Sequence, residues 1–191
     1  MLANIQKYRI ILGSQSPRRK ELLKGLNIDF EVKTIDTNED FPPTMVGVEI
    51  PMYLARKKAD TFELAEDELL ITADTIVWLK GEVFGKPENK KEAKEMLKKL
   101  SGQTHQVITG VSITTQARQK TFHVISEVHF AHLNDSEIDY YVENFNPLDK
   151  AGAYGVQEWI GYVGVERIEG SYFNVMGLPV QRLYNELKHW K

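Results

Sequence analysis

The sequence contains no cysteine, which excludes disulfides, thiolate metal sites and a cysteine nucleophile, and removes any need for an oxidising compartment. No stretch approaches the roughly 20 consecutive apolar residues that span a bilayer. The opening MLANIQKYRIILGS also lacks a charged head followed by a sustained apolar run. A cytoplasmic protein with no membrane partner is the expectation. Nor is there a surplus of charge: 24 Lys and Arg against 27 Asp and Glu leave a net −3. That balance lacks the broad basic field that binds nucleic acid or anionic lipid, so any anion site must be local. Three motifs are missing as well: the G-x-x-x-x-G-K-[ST] phosphate loop, the H-E-x-x-H zinc helix and the D-x-[DN]-x-[DN]-G calcium loop.

What is present is a chain of 191 residues, 42% hydrophobic and 27% charged. That is enough for one sizeable domain, or two lobes around one core, and too short for two independent domains. YRIIL at 8–12 suits a buried strand, and Ser16-Pro17 then reads as an N-cap followed by proline at the first helical position. IDFEVKTI at 28–35 returns as a strand. Leu54, Ala55, Ala59 and Phe62 recur at helical spacing from Pro51 to about Ala65. LLITADTIVWL at 69–79 turns through Lys80-Gly81 into EVFGKP as a hairpin. A helix follows over 88–100, then two strands at 104–116 and 120–132. Asp135 or Ser136 caps a further helix to about Asn144, and a last one covers roughly 179–190. The hairpin demands antiparallel pairing within a chain that mixes helices and strands, so the fold class is α/β with an elongated mixed sheet flanked by helices.

The corner after the first strand carries Ser14, Arg18, Arg19 and Lys20 around a helix N-terminus. Unpaired backbone N–H groups and the positive end of the dipole make that a place for an anion. A capped helix with a solvated basic face is the alternative, although cations there oppose the dipole by up to about 1 kcal/mol each. Asp74 interrupts an otherwise apolar strand, where a buried unpaired carboxylate is costly. It is either functional or satisfied by neighbouring backbone. Lys86 in GKP and Lys58 on the second helix are weak signals by themselves, as is the acidic stretch IDTNED at 35–40. The histidines form no recognisable ligand set, and Ser14 has no base at an identifiable spacing. NPLDKAGAYGVQ at 146–157 packs proline, glycines and an ion-pair dipeptide into a dozen residues, which suits a shaped loop and a second candidate site.

Six ordered segments together resemble one family, the Maf proteins. They are SQSPRRKELL at 14–23, LARKKA at 54–59, ADT at 73–75, GKP at 85–87, LSGQTHQVITGV at 100–111, and PLDKAGAYGVQ followed by ERIEGSYFNVMGLP. The resemblance implies a single domain over 1–191, two lobes sharing one sheet with a central cleft, related to the inosine triphosphatase fold. It also implies hydrolysis of a nucleoside triphosphate to the monophosphate and pyrophosphate. On that basis Asp74, Lys58 and Lys86 are the catalytic candidates, and Ser14, Arg18, Arg19, Thr75 and Gln157 would bind substrate. Glu39 and Asp74 would hold Mg²⁺ or Mn²⁺, and the resemblance implies a homodimer. Members resembling this chain at Arg18, Thr75 and Gln157 prefer dTTP and UTP, and a glutamine can read the O4 and N3–H edge of a pyrimidine. The chain departs from the family at Gly13, where alanine is usual, at Asn38-Glu39, where Asp-Glu is usual, and at Glu158-Trp159, where glycine and an aliphatic residue are common. Asp149 and Lys150 match the family loop, either touching substrate or pinning the loop. The alternative is a regulatory protein of cell division that senses nucleotides without turnover, which would need the cations but not Asp74.

Overall fold

A computed structural model of the chain describes residues 2–191. Strand β1, Arg9–Leu12, buries Ile10, Ile11 and Leu12. It runs parallel to β2, Glu31–Val32, and to β3, Glu68–Leu79, placing Ile11 opposite Leu70. Strands covered on both faces read as continuous apolar runs, which is why YRIIL and LLITADTIVWL stand out in the sequence. The strand expected over 28–35 contracts to the two residues of β2. Both are exposed and lie at the end of the sheet, so little burial favours a longer pairing.

Helix α1, Pro17–Lys24, has Pro17 in its first turn, and Ser16 Oγ accepts from the Arg19 N–H. Helix α2, Glu49–Ala59, stops short of the expected Ala65. There the Asp60 N–H bonds the Arg56 carbonyl, Thr61 Oγ1 donates to the Lys58 carbonyl at 2.8 Å and the Phe62 N–H bonds the Ala59 carbonyl. Phe62 still reaches the core, packing from the loop onto Ile11, Ala59 and Leu70. Strand β4, Glu82–Phe84, closes the expected hairpin on β3. The turn residues Lys80 and Gly81 have φ of 51° and 89°, the left-handed pair that matches the twist of the flanking strands.

Helix α3, Lys90–Leu100, buries Ala93, Leu97 and Leu100. Strands β5, Thr104–Thr114, and β6, Gln119–Phe130, follow. Helix α4, Asp135–Phe145, is capped by Asn134 rather than by Asp135 or Ser136: Asn134 and Glu137 exchange side-chain and backbone bonds in a capping box. Lys90, Lys94 and Lys98 on α3 pair with Glu143, Asp139 and Asp135 on α4 at 2.6–2.8 Å. Three elements went unforeseen, α5 at Trp159–Gly164, β7 at Val165–Glu169 and α6 at Tyr172–Val175. Helix α7, Val180–Lys188, ends the fold, and Asn4 Nδ2 donates to the Leu187 carbonyl near its end and to the Trp190 carbonyl just beyond it.

The mixed seven-stranded sheet has the order β2-β1-β3-β5-β6-β7, with β4 on β3. By contacts the chain divides into two compact units. The first comprises Met1–Asp74, Thr109–Val124 and Gly177–Lys191, and the second Thr75–Ile108 and Ile125–Met176. Strands β3, β5 and β6 contribute residues to both, and β3 changes unit directly after Asp74. Among the described residues no helix is long and apolar enough to cross a membrane.

Candidate active site

In the first unit, successive residues of β3 face opposite sides, so Thr72 and Asp74 share one face. Thr72 Oγ1 donates to the Ala55 carbonyl of α2 at 2.7 Å. One helical turn further on, Lys58 Nζ lies 2.6 Å from Asp74 Oδ1. The strand thus makes two polar rungs with one helix, the first fixing the register and the second bringing a cation to a carboxylate that is only 7% exposed. Lys58 Nζ also donates to Glu39 Oε1 at 2.8 Å. Its neighbours go elsewhere: Lys57 Nζ donates to the Asp40 carbonyl at 2.9 Å, and Arg56 faces Asp60 on the surface. Two carboxylates converging on one ammonium form an oxygen-donor pair of the kind that fits a hard divalent cation.

The corner between β1 and α1 abuts this cluster. At Gly13 a side chain would have little room. A Cβ would stand 2.7 Å from Thr72 Cγ2 and 3.2 Å from Leu70 Cδ1. Ser14 is buried and its Oγ accepts from the Ser16 N–H at 3.2 Å, leaving the hydroxyl proton to be donated. Arg19 is no solvated cation. Its Nε donates to the Gly177 carbonyl and its Nη1 to the Ala73 carbonyl, both at 2.8 Å. Burial lowers its pKa, the Asp74 carboxylate opposes that, Arg18 adds to it and Glu39 opposes it. Arg19 therefore ties the start of α1 to the residue just before Asp74 and to the loop entering α7.

The second unit holds Thr75, Lys86 and Gln157. Lys86 follows the hairpin, and the Gly85 carbonyl accepts the Gly152 N–H at 3.0 Å, joining the GKP segment to the 146–157 loop. That loop is two short 3₁₀ turns, Pro147–Asp149 and Ala151–Ala153. Lys150 Nζ, buried, meets Asp149 Oδ1 at 2.7 Å and Glu158 Oε1 at 3.1 Å. Gln157 Oε1 is buried with no hydrogen-bond partner. An orphan acceptor costs about 1–3 kcal/mol, so it marks a position where a donor from a ligand would be welcome. His105 is buried too, its Nε2 2.8 Å from the Tyr154 hydroxyl, and burial, helped by His129, lowers its pKa to about 4.

A family profile described as Maf-like protein matches residues 9–190. The chain belongs to the Maf-like family. Among curated relatives, one named dTTP/UTP pyrophosphatase from Phocaeicola vulgatus is 60% identical, covering 98% of this chain and 99% of that protein. Another of the same name, from Parabacteroides distasonis, is 58% identical over 100% of each chain. Among solved structures, a HAM1 protein from Coxiella burnetii is 18% identical with a TM-score of 0.52, covering 96% of this chain and 100% of that one. The Ham1 protein of Staphylococcus aureus is 17% identical with a TM-score of 0.52, covering 93% and 99%. The α/β class with a mixed sheet flanked by helices, expected from the sequence, is the class these Maf-like and Ham1 folds share.

Within this Maf-like chain the first unit unites Asp74, Lys58 and Glu39, with Arg19 bonded beside them. Sequence reasoning missed one convergence. Glu127, His129 and Glu169 offer ligand atoms within 4.8 Å of one another, because β6 and β7 place Glu127 opposite Glu169. Only that long-range register could reveal it. Arg167 already lies 2.6 Å from Glu169 and supplies the positive charge there.

Proposed function

We propose that this protein is a nucleoside triphosphate pyrophosphatase, hydrolysing dTTP and UTP to the monophosphate and pyrophosphate by attack of water at the α-phosphorus. The observation that carries it is the bridge Glu39–Lys58–Asp74, which sets a buried carboxylate beside the cationic corner of α1. Curated relatives at 60% and 58% identity, each named dTTP/UTP pyrophosphatase, support the same reading.

A triphosphate brings about four negative charges, which need fixed positive groups and donors. Ser14 has a hydroxyl proton to give, Arg18 flanks the helix start, and Lys58 and Lys86 add ammonium charge. Arg19 contributes charge while its carbonyl bonds keep the corner in place. Lys58 holds Asp74 by Oδ1, and Asp74 takes the proton of the attacking water as general base. Glu39 and Asp74 would hold Mg²⁺ or Mn²⁺, a charge that stabilises phosphate oxygens when bound. Thr75 and Gln157 face the nucleoside in this scheme, and the orphan Gln157 Oε1 supports a contact to the pyrimidine N3–H. Cytoplasmic location and a homodimer complete the reading, and sedimentation at twice the mass of one chain tests the latter.

The test is a panel of nucleoside triphosphates with several divalent metals, read by pyrophosphate release. UTP and dTTP should be the best substrates. Release of orthophosphate alone would contradict the proposed bond cleavage.

A further inference from the structure

Tyr141, on α4, is fully buried and stacks on Phe145 at 5.2 Å between ring centroids. Its hydroxyl donates to Glu158 Oε2 and accepts the Gly155 N–H at 3.0 Å. The other oxygen of Glu158 meets Lys150 Nζ at 3.1 Å, and that ammonium also meets Asp149. The phenol therefore holds Gly155 and Glu158, and the Glu158 carboxylate in turn holds Lys150, whose ammonium also meets Asp149. Gln157 stands between Gly155 and Glu158, with its Oε1 buried and unpartnered. Tyr141 and Lys150 are buried, and buried polar groups that find their hydrogen-bond partners rigidify what they hold. Burial and the adjacent Glu158 raise the Tyr141 pKa, so the phenol stays protonated and remains the donor to that carboxylate.

A glutamine amide presents an acceptor and a donor of nearly equal size, and exchanging them by a flip would suit cytosine, whose N3 accepts and N4 donates, as well as uracil. A backbone held in one place fixes where the Gln157 amide starts from, and so narrows the base edges its carbonyl can reach. We infer that Tyr141 and Glu158 form a positioning pair that fixes Gln157 and so sets discrimination for uracil and thymine over cytosine. This inference rests on the proposed function, and it gives a use to Glu158, where the family commonly has glycine.

The experiment measures kcat and KM of the full chain with UTP, dTTP and CTP for wild type, Tyr141→Phe, Glu158→Gln and Ile138→Val, alongside thermal midpoints. Ile138 is buried on the same helix but lies outside the network, so its variant reports on lost stability alone. Tyr141→Phe and Glu158→Gln should raise KM for UTP about tenfold, the equivalent of one hydrogen bond. They should narrow the UTP-to-CTP ratio of kcat/KM by a similar factor and leave kcat nearly unchanged, whereas Ile138→Val should move only the midpoint. If both network variants keep the wild-type KM and ratio, or Ile138→Val shifts the ratio as much, the positioning role is wrong while the enzyme reading stands. If wild type releases no pyrophosphate from UTP or dTTP, the enzyme reading fails and takes this inference with it.

Discussion

Replacing Arg19 by lysine separates charge from geometry at the corner between β1 and α1. The lysine keeps the positive charge, so a residue that served only as a cation would tolerate the change. The structure gives Arg19 a second task, because two arms of its fork hold the carbonyls of Ala73 and Gly177 at 2.8 Å each. A lysine has one nitrogen at the end of a flexible stem and lacks the planar fork that holds both carbonyls from two separate nitrogens. A bond from a charged donor contributes about 1.5–3 kcal/mol, so Arg19→Lys should cost about 2 kcal/mol. In a domain of this size that lowers the melting temperature by about 4–8 °C. Arg19→Met removes both bonds and leaves two carbonyls unpaired, for a loss of about 4 kcal/mol. Because the Ala73 carbonyl directly precedes Asp74, turnover should fall in Arg19→Lys as well. Urea titration followed by circular dichroism measures the first effect, and pyrophosphate release the second. A lysine variant within about 0.5 kcal/mol of wild type, with turnover intact, would refute the anchoring role.

Gly13→Ala should lower stability by about 1–2 kcal/mol: the new methyl would press on Thr72 Cγ2 at 2.7 Å, and the Oγ1 bond to Ala55 resists a change of rotamer there. A higher urea midpoint for the alanine variant would overturn that account. His105 introduces a pH dependence, since its pKa drops from 6.5 to about 4 on folding. The unfolded chain binds a proton there that the folded chain refuses, so this stability is fully present above pH 6.5 and is lost as pH falls towards 4. The loss is on the order of 3 kcal/mol, and His105→Gln should flatten that part of the stability profile in urea titrations at stepped pH.

The first strand, Ser16-Pro17, the hairpin at Lys80-Gly81 and the amphipathic α3 were legible because each is written in local residues: an apolar run, a cap, a turn pair, a stripe. The end of α2 was not, since Phe62 keeps the helical spacing and yet packs on Ile11 and Leu70 from a loop. Asp74 stood out as a carboxylate in an apolar strand, but its partners Lys58 and Glu39 come from 16 residues before it in one case and from another loop in the other. The bonds that turn Arg19 from a surface cation into an anchor span 54 and 158 residues. No spacing rule reaches that far. The Tyr141–Glu158 hub is hidden for the same reason, joining an α4 tyrosine to a loop glutamate 17 residues on. The family resemblance supplied the candidate residues, and the fold supplied the contacts that join Asp74, Lys58 and Glu39 and anchor Arg19 beside them.

The most direct measurement is pyrophosphate release from saturating UTP with Mg²⁺ by Asp74→Asn beside wild type, with nucleotide binding followed by calorimetry. Asparagine keeps the shape of the side chain and cannot take a proton, so turnover should fall by about 10²–10⁴-fold while binding persists. An asparagine variant that turns over UTP within a few-fold of wild type would contradict Asp74 as the group that activates water.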